Sequence, residues 1–136
     1  MKISAGLVLL KNNKILLGHP ARASWQLPLF SIPKGEVEPD ENYLLAAIRE
    51  TAEEVGIKVP SGLISTRKYV AEYKNNAGKL YKKVFYFVVK VDSLNLPDVL
   101  PKEQLQANEI DHAAFYTKEE AKKILLPKQL SILNSF

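Results

Sequence analysis

The 136 residues contain no cysteine, and only one methionine, one tryptophan and six glycines. Without cysteine there is no disulfide, no thiolate metal site and no cysteine nucleophile, and a reducing compartment suits such a chain. No apolar run approaches the ~20 residues that a membrane-crossing helix needs. The first ten residues, MKISAGLVLL, are apolar but lack a small-x-small cleavage site and run straight into Lys11-Asn12-Asn13-Lys14. They read as a strand and not as a signal peptide. The chain also lacks a glycine-rich phosphate loop ending in Lys-Ser or Lys-Thr, clustered arginine, an RNA- or DNA-binding motif, internal repeats and low-complexity tracts. A single domain over residues 1–136, in the cytoplasm and away from membranes and nucleic acid, is the expectation.

What is present is uneven. Net charge is +4, yet the segment from Glu36 to Glu54 holds seven acids against one arginine. The rest has 18 Lys and Arg against 8 Asp and Glu. An acidic nest inside a basic body suits a polyanion brought to a bound cation. Apolar residues make up 46% and charged residues 25%, ordinary for a globular protein with a real core.

The stretch IPKGEVEPDENYLLAAIRETAEEVGI, residues 32–57, carries the chemistry. Its second half reads as a helix with Asp40 as cap and Gly56 at its end. At ~100° per residue, with Glu50 at zero, Leu44, Leu45, Ile48, Ala52 and Val55 share an arc from roughly 120° to 220°. Glu50, Glu53 and Glu54 gather within roughly 60° of zero, with Ala46 one turn earlier leaving room for a ligand. The helix is expected to bury one face and offer three carboxylates on the other. Like charges at this spacing repel each other. Hard divalent cations such as Mg²⁺ bind carboxylate oxygens together with substrate phosphates. The plainer alternative is a solvated acidic face.

The rest of the chain reads as strands Lys2–Leu10 and Lys14–Gly18 joined at Asn12-Asn13, then a loop from His19 to Phe30 containing Pro20, Arg22, Trp25, Pro28 and Leu29. Strands are expected over 63–73 and 80–91, a polar loop over 92–106 that could act as a lid, and a strand over 109–116. Thr117 with Glu120 forms a capping box for a helix from Lys118, and Pro127 begins a terminal helix.

The spacing is Gly35, five residues, Glu41, seven residues, then Arg49-Glu50-Thr51-Ala52-Glu53-Glu54-Val55-Gly56-Ile57. It resembles the Nudix box, G-x5-E-x7-R-E-U-x-E-E-x-G-U with U bulky and apolar, and departs from it only at Thr51. The resemblance implies an α/β fold, a Nudix-type α/β/α sandwich with a mixed sheet. It also implies a hydrolase of nucleoside diphosphates linked to another moiety, using Mg²⁺ or Mn²⁺.

By matching position, Glu50 and Glu54 are the expected metal ligands. Glu53 joins them or acts as base on the attacking water, and the backbone carbonyl of Lys34 or Gly35 completes the shell. Arg49 is expected to hold Glu41 or Glu53, with Glu41 structural at the helix start. The base is often outside the box in this family, which makes Glu109 and Glu103 candidates. His19 and His112 read as surface or hydrogen-bonded residues. Pro33-Lys34-Gly35 is similar to the diadenosine polyphosphate and diphosphoinositol polyphosphate branches. Lys34, Trp25, Tyr73, Lys83 and Tyr86 are therefore the expected substrate contacts, although Tyr and Phe in a strand also serve as core. The resemblance leans to dinucleoside polyphosphates. Oxidised nucleoside triphosphates, ADP-sugars and 5′-triphosphate RNA are alternatives, and a non-catalytic nucleotide sensor is a third. The partner is a small-molecule nucleotide, and the protein a monomer or homodimer.

Overall fold

The computed structural model describes residues 1–27 and 29–136. Pro28, part of the expected loop, lies outside the described residues. The order of elements is β1 (Lys2–Lys11), β2 (Lys14–Pro20), β3 (Lys34–Glu36), α1 (Tyr43–Val55), β4 (Ile64–Lys74), β5 (Leu80–Lys90), β6 (Ile110–Tyr116) and α2 (Lys118–Ile124). A 3₁₀ stretch, Pro127–Ser135, follows. The strands form one mixed sheet in the order β4-β5-β1-β2-β6, with β3 also paired to β1. β1 and β5 run parallel, and the other strand pairs are antiparallel.

Alternation along the strands feeds two cores. Leu7, Leu9, Leu16, Val89 and Phe115 pack on one face with Ala46, Ala47 and Val55 of α1. Val8, Leu10, Ile15, Leu17 and Val88 pack on the other with Ala121, Leu125, Ile132 and Leu133. The result is the α/β/α sandwich that the sequence leads one to expect. No helix among the described residues is long and apolar enough to cross a membrane.

One irregularity in this sheet positions the site. β1 pairs with β2 only where the hairpin closes, at Leu10↔Ile15 and Lys11↔Lys14. The two strands then diverge. β3 takes the vacated side of β1, at Ser4↔Glu36, Ala5↔Gly35 and Gly6↔Lys34. β2 meanwhile exchanges two backbone bonds with Ser31, Gly18 N–H to Ser31 O and Ser31 N–H to Gly18 O, each 2.9 Å. The fork between β1 and β2 is therefore filled by the chain just before and within β3.

Several expectations need correction. The N-cap of α1 is Asn42, whose Oδ1 accepts from the Leu44 and Leu45 N–H groups, and Asp40 instead sits in a turn at φ 64°. α1 is also rotated relative to the expected arc. Ala46, Ala47 and Thr51 are fully buried, while Leu45 is 57% exposed. Small side chains face the sheet because they let the helix axis approach closely, and the Thr51 hydroxyl donates to Ala47 O at 2.8 Å. Ala46 thus packs in the core and leaves no ligand space.

The segment after β5 is a strap and not a lid. Val99 bridges to Ala114 on the outer edge of β6, and the Gln106 N–H bonds to Glu54 O at 2.9 Å. Thr117 and Glu120 do form the capping box of α2, and Asn12 and Asn13 take positive φ in the β1–β2 turn.

Candidate active site

Two glycines let the backbone of β1 and β3 approach what lies above it. A Cβ at Gly6 would strike the carbonyl of Pro33, and a Cβ at Gly35 would lie inside the Glu50 carboxylate. The rotation of α1 sends Glu50 and Glu54 inward toward β3 and leaves Glu53 at its outer flank. The Glu50 side chain is 14% exposed and that of Glu53 50%.

Arg49 organises the outer rim. Its Nε and Nη2 donate to both oxygens of Glu41 at 2.8 and 2.9 Å, a bidentate fork. Its Nη1 reaches Glu50 Oε1 at 2.9 Å and both oxygens of Glu53 at 3.3 Å, and Nη2 also donates to Glu36 O at 3.1 Å. These acids hold the guanidinium above its ordinary range, the Glu41 bonds contributing most. In return Arg49, with the Glu38 N–H, draws the Glu41 carboxyl down to about 2.

The inner rim is different in kind. Burial pushes Glu54 up to about 8, and the Glu50 charge adds to the rise. Glu50 is also raised, because its burial outweighs the help from Arg49. Burial, then the nearby Lys82, draws Lys34 down to about 8 despite the attraction of Glu54 and Glu50. Two desolvated carboxylates with too little compensating charge make a place for a cation.

Glu54 and Lys34 open on a cleft of about 170 Å³. Glu109 also lines it and lies near enough to raise Glu54, and Gly18, Pro20, Ser31, Ile32, Pro33 and Ile110 form the rest of its walls. Glu109 is held by its own backbone, which donates to Gln106 O at 2.8 Å and accepts from the Ala21 N–H at 3.0 Å. The bond from Gln106 to the end of α1 fixes this loop against Glu54. Glu103 lies in an exposed 3₁₀ turn and is not among the residues lining this cleft.

The fold, the box geometry and the paired inward carboxylates converge with one further finding. The model of the NUDIX domain matches residues 1–135. The chain belongs to the Nudix family. It is similar to the CTP pyrophosphohydrolase of Escherichia coli strain K12, 30% identical over 93% of this chain and 84% of that one. It is also similar to the asymmetrical bis(5'-nucleosyl)-tetraphosphatase of Rattus norvegicus, 39% identical over 52% of this chain and 48% of that one. Among solved structures, an Ap4A hydrolase of C. elegans in a binary complex superposes with a TM-score of 0.73 at 30% identity, covering 100% of this chain and 95% of that one. This Nudix protein is therefore a hydrolase of phosphoric anhydride bonds in a family that works with divalent metal ions.

The donor set fits such an ion. Glu50 and Glu54 offer oxygen only, the preference of a hard cation, and Gly35 lies against the Glu50 carboxylate without a side chain to displace it. Among the described residues no three His, Cys, Asp or Glu groups converge on one point. Two carboxylates with water and substrate oxygens suffice for Mg²⁺.

The remaining expected contacts are dispersed. Tyr86 is fully buried, and its hydroxyl accepts from Gln129 Nε2 at 3.0 Å, so its ring is core. Lys83, one residue out of phase with Val84 and Tyr86, takes the other face of the sheet and pairs with Glu72 at 3.8 Å. Lys82 is the neighbour that reaches the aromatic side, with Nζ 5.3 Å from the Tyr73 ring. Lys128, from the terminal 3₁₀ stretch, stands at the same distance from that ring. Trp25 is 53% exposed and stacks on buried His19 at 3.7 Å. Its indole N–H and the imidazole Nδ1 share the Asp111 carboxylate at 3.3 and 2.8 Å. His112 bonds to the Tyr116 hydroxyl at 3.2 Å.

Sequence reasoning missed Lys82, Lys128, Asp111 and above all Gln129. Gln129 Oε1 accepts the Ile32 N–H at 2.9 Å while its amide also reaches Ser31 and Tyr86. It therefore clamps the chain that enters β3. A fully buried glutamine in a short terminal segment carries no local signal. For Lys82, the period of two relative to Tyr86 was the available clue.

Proposed function

We propose that residues 1–136 form one catalytic domain that hydrolyses dinucleoside polyphosphates with Mg²⁺, or Mn²⁺ in its place. Glu50 and Glu54 would hold the ion, with the carbonyl of Lys34 or Gly35. When bound, the ion supplies positive charge to phosphoryl oxygens and lowers the pKa of a bound water. Arg49 positions Glu50 and Glu53, and Glu41 locks Arg49 in that orientation. Glu53, half-exposed on α1 beside Arg49, would join Glu50 and Glu54 as a ligand or assist the attacking water. Glu109, which lines the same cleft as Glu54, would take the proton from the attacking water.

The observation that carries the substrate class is the run of cations leading away from the carboxylates. Lys34 lines the cleft, Lys82 lies next to it, and Lys82 and Lys128 flank Tyr73. Among the described residues none of these three lysines makes an ion pair. Such a run suits a phosphate chain that continues past the scissile bond, with Tyr73 available for a base. Trp25 offers a second ring at the margin. The likeness to the rat tetraphosphatase and the worm Ap4A hydrolase supports the same class.

Nucleoside triphosphate hydrolysis is the second reading, favoured by the likeness to the Escherichia coli enzyme across most of both chains. Parallel kcat/KM measurements with Mg²⁺ on diadenosine tetraphosphate, CTP, oxidised dGTP, ADP-ribose and 5′-triphosphate RNA decide between them. Preference for diadenosine tetraphosphate, reduced by Lys82→Ala and Lys128→Ala in KM more than in kcat, is expected. A dominant rate on CTP or ADP-ribose overturns the substrate assignment.

A further inference from the structure

The two edges of the sheet are treated differently. The β6 edge is covered: Val99 bridges to Ala114, the Leu100 N–H bonds to Ala113 O and the Phe115 N–H to Asp98 O. The β4 edge is bare. Among the described residues, no backbone group of β4 bonds to a strand other than β5. An open edge is a template for another strand unless something blocks it.

On β4 the regular ladder with β5 runs from Lys68↔Phe87 to Tyr73↔Lys82, with register irregularities on both sides, between Ile64 and Lys68 and between Tyr73 and Lys74. Near the first, the Arg67 N–H is tied to the Ser65 hydroxyl at 3.0 Å and withdrawn from pairing. Val70, 46% exposed, lies within the regular stretch. Lys68, Val70 and Glu72 alternate along one face.

Lysine on an edge strand ordinarily prevents pairing. Here its spacing does the opposite. Consider an antiparallel pair of two β4 strands about a two-fold axis perpendicular to the sheet through Val70. Val70 then faces its own copy. Lys68 faces the second copy's Glu72, and Glu72 faces the second copy's Lys68. Opposite charges directly across an antiparallel pair attract, and like charges repel. A two-fold register centred on Tyr69 would set Lys68 against Val70 and leave Glu72 without a cation opposite. Charge complementarity therefore selects one register and one occupant.

We propose that β4 is the interface of a homodimer, formed by antiparallel addition of a second copy of this chain in the register centred on Val70. The two sheets become one continuous sheet. The Glu72 carboxylate, 3.8 Å from Lys83 on its own chain, bridges that lysine and the partner copy's lysine. The inference is independent of the substrate proposal, because none of these side chains lines the cleft.

Sedimentation equilibrium across a wide range of protein concentration tests it. The wild-type chain is expected to associate to a dimer. Lys68→Glu and Glu72→Lys, each placing like charges opposite one another, are expected to abolish association while circular dichroism stays native. The double variant Lys68→Glu/Glu72→Lys restores opposite charges in both pairs and is expected to recover the dimer. Any residual association of the single variants weakens at low salt, where repulsion is least screened, whereas that of the double variant strengthens. A monomer for the wild-type chain throughout, undiminished association of both single variants, or a folded double variant that stays monomeric each overturns the proposal.

Discussion

The Glu50 carboxylate occupies the space that a side chain at Gly35 would fill. The glycine of the box and its first glutamate are thus complementary in volume, fifteen residues apart in sequence and in contact across the gap between α1 and β3. Gly35 does not take a positive φ, so alanine is tolerated by the backbone there and acts only through Glu50. Gly35→Ala is expected to lower kcat/KM about 100-fold, the scale of misplacing a group at a reaction centre. Its thermal midpoint should stay close to wild type because Glu50 can swing toward solvent. Steady-state kinetics with a thermal melt checks this, and full activity would show that Glu50 does not need its position.

Glu53 and Glu54 should separate in stability although both affect rate. Glu53→Gln and Glu54→Gln are each expected to cut kcat by about 100-fold or more, as loss of a charged group at a reaction centre does. Glu53 is half-exposed, so its replacement should leave the metal-free melting temperature unchanged. Glu54→Gln should raise it above neutral pH, since a desolvated carboxylate beside Glu50 is removed. Paired kinetics and metal-free melts test both halves. Wild-type kcat in both variants with Mg²⁺ sinks the metal assignment.

The pH dependence of the metal-free protein follows from the same pair. Glu54 rises from about 4.3 when unfolded to about 8 when folded. Its contribution to stability is full below about 4.3 and is lost as pH rises through about 8. Lys34 falls from about 10.4 when unfolded to about 8 when folded, so stability climbs again as pH rises from about 8. Difference curves of unfolding free energy against pH should lose their falling limb in Glu54→Gln and their rising limb in Lys34→Met. At pH 7 a divalent ion should release close to one proton on binding, measured by calorimetry in buffers of different ionisation heat. Proton-neutral binding would contradict the Glu54 assignment.

Gln129 makes a prediction far from the chemistry. Gln129→Leu leaves the Ile32 N–H without its partner and strips the Tyr86 hydroxyl of a donor, both in the interior. Each unsatisfied buried group costs about 1–3 kcal/mol. Urea denaturation should show a loss of that size, and KM should rise because the chain entering β3 carries Lys34. A neutral effect on both would mean that the clamp is redundant.

Much of this was legible beforehand, for physical reasons that can be named. The box spacing alone brought Glu50 and Glu54 one turn apart, and Thr117 with Glu120 announced their capping box. The two strand hairpins followed from alternation and Asn12-Asn13. The orientation of α1 was not legible. A hydrophobic arc weights Leu44, Leu45 and Ile48, whereas close approach of helix to sheet selects Ala46, Ala47 and Thr51. Asn42 and Asp40 are both good caps by composition, and only the backbone turn at Asp40 decides between them. β3 has three residues, too few for any period. The parallel pairing of β1 with β5 and the reach of Gln129 to Ile32 join residues about 80 and 97 positions apart, and no local pattern encodes that.

The parting of β1 from β2 after a two-residue-pair contact has an architectural outcome. Access to the reaction centre requires no rung of the sheet to be broken. In the connection after β2, Ala21 is tied to Glu109 and Trp25 to His19 and Asp111, while exposed Arg22 and Leu27 belong to no rung and can be re-lettered without disturbing the ladder on either side. A scaffold of this kind can retune what it admits by editing one span while its ion-holding apparatus stays put.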